Sequence, residues 1–329
     1  MAQDNIYARM RNAQKGIPAG NTYALLDDDG TIGGLGPFKK FYLDAVSGVA
    51  TNGGKSPANA VSTLAALYAL LTEGDNDTGV VIGDGGTAAS VRLSTAFVWD
   101  KDACNLVGIT APSLFSQRAR IATLGSATAV PAFFTIASDG GLFANLSFVH
   151  DYDTDGDNQI CLTLSGNRNV FQRCHFYGIA KGSDAGGRVL KITGQENLFE
   201  DCVIGVDTID RSAANVSVEF ASGAARNVFR NCIFPIRATA TSPLGVKVAA
   251  AAGSDRFQVF ENCIFWNHGT SVMSGLATLA ASMGGYLLFK NCTMIRITEF
   301  GTDATSLGQI YVDGASSVAA TSSIAVIPT

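Results

Sequence analysis

The side chains best spaced for joint chemistry are Ala144, Gln172, Glu200, Arg230, Glu261 and Lys290, each directly after a phenylalanine. If successive copies stack, these six form one outward column. Acid–base cleavage of a glycosidic bond needs two carboxylates flanking the bond, one as acid and one as base or nucleophile. Here the signs alternate and no two acids are adjacent, so the column reads as a solvated, salt-bridged row whose pairs contribute about 0 to 1 kcal/mol each. This predicts no catalytic column and a protein that is not an enzyme.

Two other groupings have chemical potential. Asp151, Asp153, Asp155 and Asp157, with Gly156 between the last two, match the first half of a calcium loop, where alternate carboxylates supply hard oxygen ligands. The twelfth position is Leu162 in place of the bidentate Glu. Two readings therefore stand: a calcium ion completed by backbone carbonyls, or a solvated acidic loop with no cofactor. The three histidines, His150, His175 and His268, lie 7, 4 and 8 residues after their phenylalanines, so they share no column. Trp99, Trp266, Tyr177 and Tyr152 are the aromatic side chains that could stack on sugars.

The element that must position these residues is a lateral repeat. Phe143, Phe171, Phe199, Phe229, Phe260 and Phe289 recur at intervals of 28, 28, 30, 31 and 29 residues. Three residues after each stands Leu146, Cys174, Cys202, Cys232, Cys263 or Cys292. The fifth position is always large and apolar: Phe148, Phe176, Ile204, Phe234, Phe265 and Met294. A period of this length is the signature of a solenoid, and a second apolar strand recurs upstream, as Ile160 to Leu164, Val189 to Ile192, Val216 to Phe220 and Val246 to Val248. The fold class is all-β, a right-handed parallel β-helix.

Within each coil, the residue before the Cys or Leu is polar: Asn145, Arg173, Asp201, Asn231, Asn262 and Asn291. Asn tolerates the left-handed conformation that a sharp bend needs. In stacked coils about 4.8 Å apart, Asn145, Asn231, Asn262 and Asn291 form a ladder of amides along the axis. The cysteines and phenylalanines read as buried core stacks, since free Cys packs as a small hydrophobe. The residue before each Phe is also apolar, although neighbours on a strand point to opposite faces. One of the two columns therefore faces outward, covered by a loop or by another subunit.

Flanking segments complete the chain. Residues 1–40 lack periodicity and read as an N-terminal arm or anchor. Residues 41–300 form the β-helix with its opening cap, including a helix over about 58–71 with Ser56 as N-cap and Pro57 at the first position. Residues 301–329 supply closing strands. The stretch GGKSPANAVSTLAAL resembles the start of many pectate-lyase-like proteins. Asn267-His268-Gly269 resembles the Gly-His-Gly of polygalacturonases, but their accompanying motifs do not occur in the expected order, so the resemblance implies their fold and not their site.

The chain is 47% hydrophobic and only 16% charged, which excludes a disordered polymer, and its net charge of −5 without a Lys/Arg cluster excludes a nucleic-acid binder. No run of 18 apolar residues exists, so no membrane-spanning helix is expected. Met1 to Ala19 is polar and broken by Gly16 and Pro18, which predicts synthesis in a host cytoplasm without a signal peptide. An Ala/Gly/Ser-rich β-helix behind a non-repeating arm resembles bacteriophage virion proteins, whose β-helices are commonly trimeric. That resemblance implies a capsid decoration protein, a homo-oligomer, trimeric by the resemblance, contacting the major capsid or another virion protein. The alternative is a tailspike-like glycan-binding protein or polysaccharide depolymerase.

Overall fold

A computed structural model describes residues 39–313, apart from 84–89, 111–114, 116–118, 125–129, 131, 152–158, 251–253, 282 and 302–308, together with the backbone of 325–326. The arm expected over 1–40 lies almost wholly outside the described residues. The chain winds as a right-handed parallel β-helix with three sheets of eleven, seven and eight strands. In the order a coil visits them, the strand with the conserved-spacing Phe belongs to the first sheet (Phe229 in Asn227–Arg230). The strand after the bend belongs to the third (Phe234 in Ile233–Ile236), and the upstream apolar strand to the second (Phe220 in Val216–Phe220).

Register follows side-chain type. Phe171 pairs with Phe143 and Phe199, and Phe229 with Phe199 and Phe260. Their rings stack 4.6 to 5.1 Å apart, within 16° of parallel from Phe143 to Phe289. Phe148 on Phe176 and Phe234 on Phe265 make a second stack across the core. Offset stacking of buried aromatic rings contributes beyond area burial. Each ladder cysteine donates its thiol to the carbonyl of the phenylalanine one coil earlier, as Cys174 to Phe143 at 3.3 Å and Cys292 to Phe260 at 3.2 Å. Burial pushes the Cys202, Cys232 and Cys263 thiols well up, so they stay protonated and inert.

The bend residues Asn145, Arg173, Asp201, Asn231, Asn262 and Asn291 all have φ between 51° and 56°. Their amides link only in part: Asn262 donates to Asn231 at 3.3 Å and Asn231 to Asp201 at 3.2 Å, both exposed. The buried amide ladder is a different one, two residues before the phenylalanines. Backbone N–H groups of Asn169, Asn197 and Asn227 donate to the side-chain oxygens of Asn197, Asn227 and Gln258 at 2.9 to 3.1 Å.

The cap departs from the expected helix over 58–71. Pro57–Asn59 is a single 3-10 turn, and the α-helix, α1, spans only Leu64–Leu70. Between them Val61 is extended, because it bridges to Leu43 and exchanges hydrogen bonds with Tyr42 and Asp44 in the first strand. Thr63, not Ser56, caps the helix, accepting from the Ala66 N–H at 3.2 Å. Leu64 and Leu67 are buried over the first coil. At the far end Ile310–Asp313 and Ala325–Val326 extend the first sheet.

The aliphatic column before the phenylalanines does face outward. Val170, Leu198, Val228 and Val259 are half-buried between two charge ladders on the outer face of the first sheet. One ladder runs from Asp139 through Arg168 and Glu196 to Arg226. The long stems of such side chains cover apolar surface while their heads stay wet.

Candidate functional site

The second ladder on that face is the column after the phenylalanines. Gln172 donates to Glu200 at 2.9 Å, and Arg230 bridges Glu200 at 3.5 Å and Glu261 at 3.0 Å. Lys290 reaches Glu261 at 2.9 Å. Hydrogen bonds from Lys290 and Arg230 hold the Glu261 carboxyl below the usual carboxylate range. Every carboxylate here is tied to a neighbour in the same column.

The second sheet presents a different outer face. Its strands Ile160–Leu164, Arg188–Ile192, Val216–Phe220 and Leu244–Val248 each bury the third and fifth residues, so alternation turns the fourth outward. Registered pairs align these fourth residues as a row: Thr163 beside Lys191, Lys191 beside Glu219, Glu219 beside Lys247, and Lys247 beside Thr278. Glu219 is 7% exposed and Lys191 and Lys247 are half-buried.

The electrostatics of the row are lopsided. Arg188 donates its Nε to Glu219 and a terminal nitrogen to the carbonyls of Ala185 and Gly187 at 3.0 and 2.8 Å. Lys247 Nζ stands 3.7 Å from the same Glu219 oxygen. Among the described residues no carboxylate pairs with Lys191. Asp184, also buried, spends its carboxylate on the backbone N–H groups of Gly186 and Gln159 at 2.8 and 3.0 Å.

Arg211 lies on the loop that enters Val216–Phe220 and is fully enclosed. It donates to the Ser217 hydroxyl at 2.9 Å, the Asn215 carbonyl at 2.7 Å and the Leu244 carbonyl at 2.9 Å. Burial, helped by the nearby Arg188 charge, pushes its guanidinium down to about 9. Arg188 and Lys247 thus share the Glu219 carboxylate, while Arg211, among the described residues, bonds only neutral groups. The half-buried Lys191 and Lys247 give this face positive charge on a chain of net charge −5, and such local charge attracts anionic ligands.

The residues singled out from sequence are dispersed. Asp151 accepts from Arg92 at 3.0 Å and from the Thr123 hydroxyl, while Asp153, Asp155, Asp157 and Tyr152 lie outside the described residues. Among the described residues no group of three or more His, Cys, Asp or Glu gathers as a metal site. His150, His175 and His268 bond the carbonyls of Val130, Gly205 and Asp207 at 2.7, 3.0 and 2.8 Å, fastening loops. Burial pushes the His175 imidazole down to about 4. Trp99 is fully buried, packed against the rings of Tyr68 and Phe143. Trp266 is 36% exposed, its ring 5.2 Å from His268, and Tyr177 bonds Thr208 at 3.1 Å.

The row Lys191, Glu219 and Lys247 escapes a count anchored on phenylalanine because its strand joins the next one through loops of variable length. Its signal is the charged residue just before the last apolar residue of each upstream strand: Lys191 before Ile192, Glu219 before Phe220, Lys247 before Val248.

No protein-family model matches the chain, and no curated protein sequence matches it. Solved structures do. A pectin methylesterase mutant in complex with a hexasaccharide is similar with a TM-score of 0.58 at 14% identity, over 88% of this chain and 92% of that one. The pectin methylesterase of Erwinia chrysanthemi gives 0.55 at 15% identity over the same shares. That of Yersinia enterocolitica gives 0.50 at 13% identity, over 81% of this chain and 94% of its own. The expectation of a protein without enzymatic activity is corrected by these likenesses, because it rested on the ion-paired column of the first sheet alone and left the second sheet unread. What these likenesses show of the chain itself is its fold, the parallel β-helix of the pectin methylesterases.

Proposed function

We propose that the chain binds and depolymerises an acidic polysaccharide along the outer face of its second sheet, the activity of a tailspike-like depolymerase. The observation that carries this reading is the row of Lys191, Glu219 and Lys247, with Arg188 behind Glu219 and no carboxylate partner for Lys191 among the described residues. A half-buried cation without a counter-ion gains most from an anionic ligand that replaces its water. The solved structures compared above are sugar-acting enzymes, which favours this reading over a capsid-decoration role.

Hydrolysis of a glycosidic bond uses two carboxylates, and here the oxygens of Asp184 are engaged by backbone amides. Glu219 alone fits β-elimination. Lys247 pairs with the uronate carboxylate, which makes the adjacent C–H acidic. Glu219 takes that proton, the C–H electrons become a C=C bond, and the C–O bond to the leaving sugar breaks. The leaving oxygen then takes a proton from Glu219, closing the cycle.

Incubation of the full chain with uronate-containing polysaccharides, read by the ultraviolet absorbance of unsaturated product ends, tests the reading. Absorbance should rise with wild type, and Glu219→Gln should lower the rate by about 100-fold or more, as expected for loss of a general base. No binding and no new ends with any acidic polysaccharide would overturn it.

A further inference from the structure

The order of side chains along the row restricts the glycan further, and this step rests on the reading above. We infer that the preferred polymer carries its carboxylates on alternate sugar residues, with a neutral residue between them. Strands of a sheet lie about 4.8 Å apart, close to the length of one sugar ring, so a chain lying along the axis sets roughly one residue on each rung. The rungs read Thr163, Lys191, Glu219, Lys247 and Thr278 in registered order. The two cations stand two rungs apart, and the positions between and beyond them are a carboxylate and two hydroxyls.

A carboxylate on every residue would set one of them against Glu219. Glu219 is buried beside Arg188 and Lys247, and it cannot turn away, because Arg188 fixes one of its oxygens. Like charges forced together in a desolvated site are the usual source of discrimination against a wrong partner. A neutral sugar at that rung instead offers hydroxyls that donate to the carboxylate. Thr163 and Thr278 likewise suit neutral residues, so five consecutive rungs share one period of two.

Calorimetric titration of the full chain with two soluble polymers of equal length, one a homopolyuronate and one alternating uronate with a neutral sugar, tests the inference. Wild type should bind the alternating polymer about tenfold or more tightly, the factor set by one misplaced buried charge. Glu219→Gln, which keeps shape and removes charge, should bring the two within about twofold by strengthening the homopolymer. Equal or tighter binding of the homopolymer by wild type overturns the alternating register and leaves the acidic-polysaccharide reading standing. Failure of both polymers to bind overturns the two together.

Discussion

Lys191 and Glu219 stand directly opposite each other on neighbouring strands, yet the Glu219 carboxylate turns to Arg188 and Lys247 and leaves Lys191 without an acidic partner among the described residues. A row that is nearly paired, with one cation to spare, marks a surface whose last partner comes from outside the chain. On the first sheet the same residue types form a closed relay from Gln172 to Lys290, and nothing is left over.

That difference separates two charge removals. Arg188→Ala strips the principal partner from a nearly buried carboxylate and should destabilise the fold by about 3 kcal/mol, read as a lower urea midpoint at unchanged slope. Lys191→Ala touches no internal pair, so its stability should change by about 0.5 kcal/mol or less.

The two amide ladders should respond unequally. Asn227 takes part in five hydrogen bonds in the interior, to Asn197, Gln258 and Gly194, and Asn227→Ala orphans buried donors and acceptors at a cost of about 1 to 3 kcal/mol. Asn231 is exposed with φ 54°, a conformation Gly adopts freely, so Asn231→Gly should be within about 0.5 kcal/mol of wild type. Paired thermal melts of the two variants check this.

Phe229 sits in mid-stack, 4.6 Å from Phe199 and 4.8 Å from Phe260. Phe229→Ala should cost about 3 to 5 kcal/mol, because neighbouring coils cannot collapse into the gap without breaking register. Phe257, exposed on the neighbouring strand Phe257–Glu261, should tolerate the same change with a far smaller loss.

His175 gives the fold a pH dependence. Its folded value, about 4, lies below the ordinary 6.5, so the unfolded chain binds the extra proton between these limits. Its contribution is therefore fully present above pH 6.5 and is lost as pH falls towards 4. Unfolding midpoints measured from pH 7.5 to 4.5 should fall, and the fall should be shallower in His175→Gln.

The solenoid was legible because its strongest signals are steric and strictly periodic. Phe and Cys recur wherever a fixed-length path of strand, bend and strand repeats, as from Phe229 through Asn231 to Phe234. The α-helix was misjudged at its start, since Pro57 signals a helix locally while the pairing of Val61 with Leu43 is a tertiary demand no local pattern carries. The buried Asn169, Asn197 and Asn227 ladder was hidden by Gln258, which continues the hydrogen bonds and breaks the spelling. The candidate site was harder still. Lys191, Glu219 and Lys247 align only after loops of unequal length are closed, and Arg211 reaches its carbonyls from outside the repeat.

The most direct test of the central claim is the affinity of the full chain for an acidic polysaccharide, compared with Lys191→Ala and with a first-sheet control, Lys290→Ala, at two salt concentrations. The account predicts that Lys191→Ala weakens binding by about tenfold, one charge-assisted contact, and flattens the salt dependence, while Lys290→Ala leaves both unchanged. Loss of binding in Lys290→Ala with none in Lys191→Ala would contradict it and move the site to the first sheet.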